Sequence, residues 1–290
     1  MSRKTREVLG INARNLAVIY PRNPRKAFRS VDDKLICKEI LSAAGVPVPA
    51  TLFVVHGHRQ LLALAELIDT LPGFVVKPAR ASGGKGILVV RRNGDGRLVS
   101  PGSRGDRVVT TADVLEHIAQ ILAGLVTPAR LDETVFLEEL LEPDGVLGAM
   151  AWRGLPDIRV IVDRGRPVMA MVRVPTAASA GRANLHQGAL GLGVDMESGR
   201  TTLAILGNRK LTTHPDTGHP LEPVTVPHWE TILAMSRKAG ASVELGYVGV
   251  DLILDRNRGP LVIELNARPG LNIQLANGAG LRPLLGLDQS

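Results

Sequence analysis

Residues 249–270, GVDLILDRNRGPLVIELNARPG, constrain this chain more than any other stretch. Two apolar runs flank a polar turn at Arg256–Gly259, so the segment reads as an antiparallel hairpin with Asp255 opposite Pro260. Val250 then faces Leu265, Leu252 faces Ile263 and Leu254 faces Leu261. That register sends one wholly apolar face to a core, and a slip of one residue would mix the two faces. The other face carries Asp251 directly opposite Glu264, with Asn266 two residues along. Opposed side chains have Cβ atoms about 5 Å apart, where two carboxylates repel by about 3 kcal/mol at an effective dielectric of about 20. A divalent cation offsets that repulsion, and two carboxylates with one amide oxygen suit Mg2+ or Mn2+. The alternative is a solvated face whose acids are neutralised by Arg256, Arg258 or Arg268.

The remaining pattern mixes helix and strand. VDDKLICKEILSA (32–44) is an amphipathic helix with acids at its start and Gly45 past its end. Strands are expected at 51–55, 73–77 and 86–92, with a helix at about 59–70 between the first two. A Gly-rich polar loop is expected over 93–107, then a helix near 111–124. VFLEELL (135–141) is a strand running into Pro143, Asp144 and Gly145, a hinge between two lobes. Strands at 157–163 and 166–174, an ordered polar loop over 176–194 and a helix near 226–244 lead to the opening hairpin. The fold class is α+β in two lobes. Residues 1–50 form an N-terminal segment and first helix packing on the large lobe, 51–139 a small lobe, and 140–290 the large lobe.

Composition narrows the partners. With 290 residues, 44% of them apolar, the chain can bury a sizeable core. One cysteine, Cys37, cannot form an intrachain disulfide, which points to a reducing, cytoplasmic setting. No 18-residue apolar run is present to span a membrane. The net charge of +7 suits an anionic small ligand, a nucleic acid or an acidic surface. Aromatic residues are too few for base stacking, and no helix carries a one-sided basic stripe, which argues against nucleic acid. A homo-oligomer is left open.

FVVKPARASGGKGILVV (74–90) places Lys77 at a strand end, then a loop with Gly83, Gly84, Lys85 and Gly86, then another strand. It departs from a P-loop, since Ala79 stands where that motif has its first glycine, and Gly86 where it has Ser or Thr. A Gly-rich loop between strands is instead a flap whose N–H groups can close over phosphates.

In order along residues 32–275, these pieces resemble the ATP-grasp superfamily, most closely the RimK-type glutamate ligases and their α-L-glutamate ligase-like relatives. The resemblance implies an ATP-grasp fold, two α+β lobes holding ATP between them, with a truncated N-terminal segment. It makes Lys34, Lys77 and Gly83 to Gly86 the contacts to ATP phosphates. Glu138, Glu139 and Leu141 match the adenine hinge, and Asp144 stands in for a ribose-binding acid. Arg173 would meet the γ-phosphate, and Arg268 joins it in the catalytic set. Arg159, Asn184 and His186 would bind substrate, while Asp251, Glu264 and Asn266 would hold two Mg2+ or Mn2+ ions. The implied reaction is carboxylate–amine ligation through an acyl phosphate, joining an amino acid such as glutamate to an amine or peptide and releasing ADP and phosphate. Alternatives are a kinase of the same fold and a non-catalytic nucleotide or nucleic-acid binding module.

Overall fold

The computed structural model describes residues 7–81, 83–102, 105–126 and 133–287. The chain divides into two units, one comprising everything up to Val48 together with Glu142 onward, the other Pro49–Leu141. Residues 7–48 thus belong with the C-terminal half. A helical run from Ile11 to Arg22, π-helical over Asn15–Ile19, opens the larger unit. Asn23 ties its end to the sheet, its amide bonding the Tyr247 carbonyl (2.7 Å) and N–H (2.9 Å). Helix α1 (Lys34–Ala43) is capped by Asp33, whose carboxylate accepts from the N–H groups of Leu35 and Ile36. Its inner face, Cys37 and Leu41, enters the core beside Val250, Leu252 and Leu265.

The smaller unit contains β1 (Thr51–Val55), α2 (Leu61–Thr70), β2 (Gly73–Pro78), β3 (Leu88–Arg92), β4 (Leu98–Gly102), β5 (Gly105–Val108), α3 (Thr111–Leu122) and β6 (Val135–Glu139). Its strands form an antiparallel sheet in the order β1-β6-β2-β3-β4-β5. Phe74, Val76, Val135 and Leu137 face Leu64 and Ile68 of α2 and Val114 and Ile118 of α3. Strand alternation turns Lys77 and Glu138 to the opposite face. The loop expected over 93–107 instead carries the edge hairpin β4–β5. Pro101 and Gly102 obscured it, but they pair only with β5, beyond the contacts between β3 and β4 at Arg91 and Arg92, where an edge tolerates both residues.

The larger unit continues with β7 (Asp157–Asp163), β8 (Arg166–Val174), β9 (Leu190–Val194), β10 (Thr201–Leu206), β11 (Arg209–Leu211), α4 (Trp229–Ala241), β12 (Tyr247–Asp255), β13 (Gly259–Asn266) and α5 (Ile273–Asn277). The strands form a seven-stranded antiparallel sheet, β11-β10-β9-β8-β7-β12-β13. One face packs with α1 and α4, the other with α5 and the N-terminal helical run. The polar loop expected over 176–194 ends in strand β9. Its LGLGV pattern alternates, with Leu190, Leu192 and Val194 in the core. A Cβ at Gly193 would lie 2.5 Å from the Ala276 carbonyl, so the glycines are where α5 lies flat on the sheet. Strands β10 and β11 had no counterpart in the sequence reading.

The hairpin β12–β13 departs from its expected register at the tip. Asp255 pairs with Gly259 rather than Pro260, Leu254 with Pro260, Ile253 with Leu261, and Leu252 with Val262 rather than Ile263. Gly259 adopts φ +75°, which permits a shorter, three-residue connection. An irregularity between Asp251 and Leu252 leaves Ile263 as the extra residue. Val262 therefore replaces Ile263 in the core. Past that bulge the expected register holds: Asp251 faces Glu264 and Val250 faces Leu265.

Candidate functional site

Four neighbouring strands of the larger unit bring their polar residues into one row. Asp157 on β7 pairs with Arg173 on β8, Arg159 on β7 pairs with Asp251 on β12, and Asp251 pairs with Glu264 on β13. Arg159 donates from Nε to Asp251 Oδ1 (2.7 Å) and from Nη2 to Oδ2 (2.6 Å), a bidentate clamp. Arg173 binds Asp157 through Nε and Nη2, and its Nη2 also reaches Asp251 Oδ2 at 2.8 Å. The Asn266 amide donates to the same oxygen at 3.1 Å. Asp251 is 2% exposed, Asp157 5% and Arg173 8%, so the cluster is shielded from water.

Burial makes these charges interdependent. Burial opposes the Asp251 charge, yet Arg159 and Arg173 hold its carboxyl down at about 2. Burial pushes Asp157 up to about 6 and the Asp251 charge adds to the rise, against the opposing pull of Arg173. Burial works against the charge of Arg173, but Asp157 and Asp251 together raise its pKa. Glu264 is also raised, by burial first and by Asp251, with Lys34 at the start of α1 the leading opposing charge.

The alternative reading, in which Arg256, Arg258 or Arg268 neutralises these acids, is not what Asp251 shows, since its partners are Arg159 and Arg173. Arg256 lies 3.8 Å from Glu142, Arg258 donates to the Val48 carbonyl at 3.4 Å, and the exposed Arg268 guanidinium stacks 4.4 Å over Phe28. Thus Arg268 is not bonded to the cluster that holds Arg173.

Beside the cluster lies an open pocket lined by Arg159, Arg173, Asn184, His186, Gly270 and Asn272, together with two apolar side chains. Asn184 caps the turn Leu185–Gln187, its Oδ1 accepting from the His186 N–H at 3.0 Å. That turn presents the exposed His186 ring toward Gly270, where an added Cβ would lie 3.6 Å from its Nε2. All three residues expected to bind substrate, Arg159, Asn184 and His186, therefore line one pocket with Arg173.

Asp251, Glu264 and Asn266 share one face, an all-oxygen donor set of the kind hard divalent cations take. The set fits in kind and placement, but both Asp251 oxygens already accept from guanidinium groups. A cation using Asp251 must take over part of that arginine grip. Among the described residues no group of three His, Cys, Asp or Glu side chains could hold a metal.

In the smaller unit, Gly83, Gly84 and Gly86 all adopt positive φ in a turn that leaves Lys85 exposed and leads into a strand, unlike a P-loop, which opens a helix. His117 Nε2 lies 2.9 Å from the Gly86 carbonyl. Lys77 forms an ion pair with Glu138 on β6. Glu139 Oε1 accepts from the Ala50 N–H at 2.6 Å, and Leu141 is buried as the last residue of the unit. In the larger unit, Asp144 caps the short helix Gly145–Ala149 through the N–H groups of Val146 and Leu147. Cys37 is a packed thiol, its pKa pushed up to about 12 by burial.

Asp157 is the site residue that the sequence reading missed. The polar–apolar–polar pattern Asp157-Ile158-Arg159 ahead of the apolar run 160–162 is the signal, the same one used on the hairpin.

The profile of the sugar-transfer associated ATP-grasp family matches residues 13–287. The chain is 27% identical over 261 residues to a probable alpha-L-glutamate ligase of Syntrophotalea carbinolica, covering 90% of this chain and 64% of that protein. It is 26% identical to a probable alpha-L-glutamate ligase of Trichodesmium erythraeum, with the same coverage of 90% and 64%. The chain thus spans 64% of the length of these relatives. A D-cycloserine synthetase, DcsG, superposes with a TM-score of 0.53 at 16% identity, over 92% of this chain and 71% of that one. An ATP-grasp RimK domain protein of Sphaerobacter thermophilus gives 0.50 at 12% identity, over 93% and 72%. These two likenesses are of fold: two antiparallel sheets with helices, the ATP-grasp arrangement.

Proposed function

The chain belongs to the sugar-transfer associated ATP-grasp family, and from that premise we propose that it is an ATP-dependent carboxylate–amine ligase acting through an acyl phosphate. The observation that carries this reading is the pocket in which Arg159, Arg173, Asn184 and His186 converge beside the acidic row of Asp251 and Glu264. Two arginines with five fork-like donors each suit a carboxylate or a phosphoryl group, the two groups that an acyl-phosphate route must bring together.

Arg159, Asn184 and His186 would orient the acid, and Arg173 would stabilise negative charge developing on the transferred phosphoryl group. Lys34 and, in the smaller unit, Lys77 with the flap N–H groups would hold nucleotide phosphates. Glu138, Glu139, Leu141 and Asp144 remain proposed nucleotide contacts, and Arg268 a proposed catalytic one. Asp251, Glu264 and Asn266 would hold Mg2+, two ions in our reading, which when bound neutralise phosphate charge. The relatives suggest glutamate or a similar amino acid as the donor, with an amine or peptide as acceptor. We place the reaction in the cytoplasm, and no helix among the described residues is long and apolar enough to cross a membrane.

ADP and phosphate release should require acid and amine together. Product formation accompanied by AMP would refute the mechanism.

A further inference from the structure

Arg159 and Arg173 play two parts at once: their guanidiniums clamp Asp251, and the same side chains line the open pocket. Arg159, Arg173, Asp157 and Asp251 together carry no net charge, two positive against two negative, within a shielded cluster. A divalent cation entering alone would meet two guanidiniums already bonded to its carboxylate. An anion entering alone would have to draw those guanidiniums from Asp251 and leave that buried carboxylate with the Asn266 amide but no cationic partner. If both enter, each takes the partner that the other releases.

We propose that an oxyanion in this pocket and a divalent cation on the Asp251 row bind with positive coupling, through exchange of Arg159 and Arg173 from Asp251 to the oxyanion. Asp157 is the positioning residue of this exchange. It grips Arg173 from β7, the strand between β8 and β12, and keeps the guanidinium from being committed to Asp251 alone. The proposal rests on the ligase reading for the identity of the two ligands, and it adds that neither site is fully formed without the other. Binding energies of this kind are reciprocal, so the cation must tighten the anion by the same factor as the anion tightens the cation.

The test needs no turnover. Mn2+ binding to the nucleotide-free protein is followed by the electron paramagnetic resonance of free Mn2+, at constant ionic strength, with no oxyanion, with glutarate, or with sulfate. Glutarate stands for a carboxylate and sulfate for a phosphoryl group. At least one should tighten Mn2+ by about tenfold, within the roughly 5- to 150-fold range of coupled sites. The arm that responds identifies the source of the oxyanion. Mn2+ affinity unchanged by both anions, or no Mn2+ binding under any condition, overturns the proposal. Asp157→Asn, which leaves the cluster one charge more positive, should weaken Mn2+ and tighten the anion. A merely structural Asp157 would weaken both, and that result would overturn its positioning role. The wild-type coupling decides the exchange even if the variant fails to fold. Coupling without acid-dependent ATP turnover would remove the ligase reading and leave the exchange standing, and turnover without coupling would do the reverse.

Discussion

Replacing Asp251 by alanine probes the centre of the charge row. Its carboxylate is 2% exposed and accepts from Arg159, Arg173 and Asn266. The substitution leaves Arg159 without that carboxylate, while Arg173 keeps Asp157. Removing one partner from a buried ion pair costs about 3–5 kcal/mol. Because Arg173 retains a partner, the lower end applies, about 3 kcal/mol. For a unit of this size each kcal/mol lowers the midpoint by roughly 2–4 °C, so thermal unfolding followed by circular dichroism should shift down by roughly 6–12 °C. A cycle with Arg159→Ala should show a coupling of about 1–3 kcal/mol. A loss below about 1 kcal/mol, the range of solvated surface pairs, would refute the reading of the row as a buried, mutually dependent cluster.

Four further outcomes follow from the same structure. Asp157 stands at about 6 against an ordinary 3.8, so its ionised form is the costly one. Wild-type stability relative to Asp157→Asn should therefore rise as pH falls from 7 through 6 and level off near 4, by up to about 3 kcal/mol; a flat difference would contradict the shift. The Asp251 contribution runs the other way, present above 3.8 and lost as pH falls toward 2. Gly193→Val should lower the urea midpoint by an amount equivalent to about 1–3 kcal/mol, because a Cβ there meets the Ala276 carbonyl at 2.5 Å. Cys37, buried with its thiol pushed up to about 12, should react with a disulfide reagent at pH 8 only slowly in the native protein and at once in denaturant.

The hairpin shows how far the sequence can be read. Alternation placed Asp251 opposite Glu264, and the structure keeps that pair, although the tip register is shifted by one residue. The shorter turn at Gly259 and the bulge at Ile263 offset each other, and periodicity alone contains neither. Strand β9 was hidden because its glycines make room for α5, a helix distant in sequence. The partners of Asp251 were hidden for a related reason: Arg159 and Arg173 reach it only once β7 and β8 are stacked beside β12. Four residues lining the pocket, Arg159, Arg173, Asn184 and His186, were legible through the resemblance to the RimK-type family rather than through periodicity.

Hydroxylamine trapping tests the proposed ligase chemistry most directly. The protein is incubated with ATP, Mg2+ and a panel of amino acids and small dicarboxylates, with hydroxylamine as the amine. An acyl phosphate formed beside Arg159 and Arg173 would be captured as a hydroxamate, in step with ADP release and lost in Asp251→Ala. ATP turnover that depends on an added substrate but yields no hydroxamate would contradict ligation and identify phosphoryl transfer to a hydroxyl group instead.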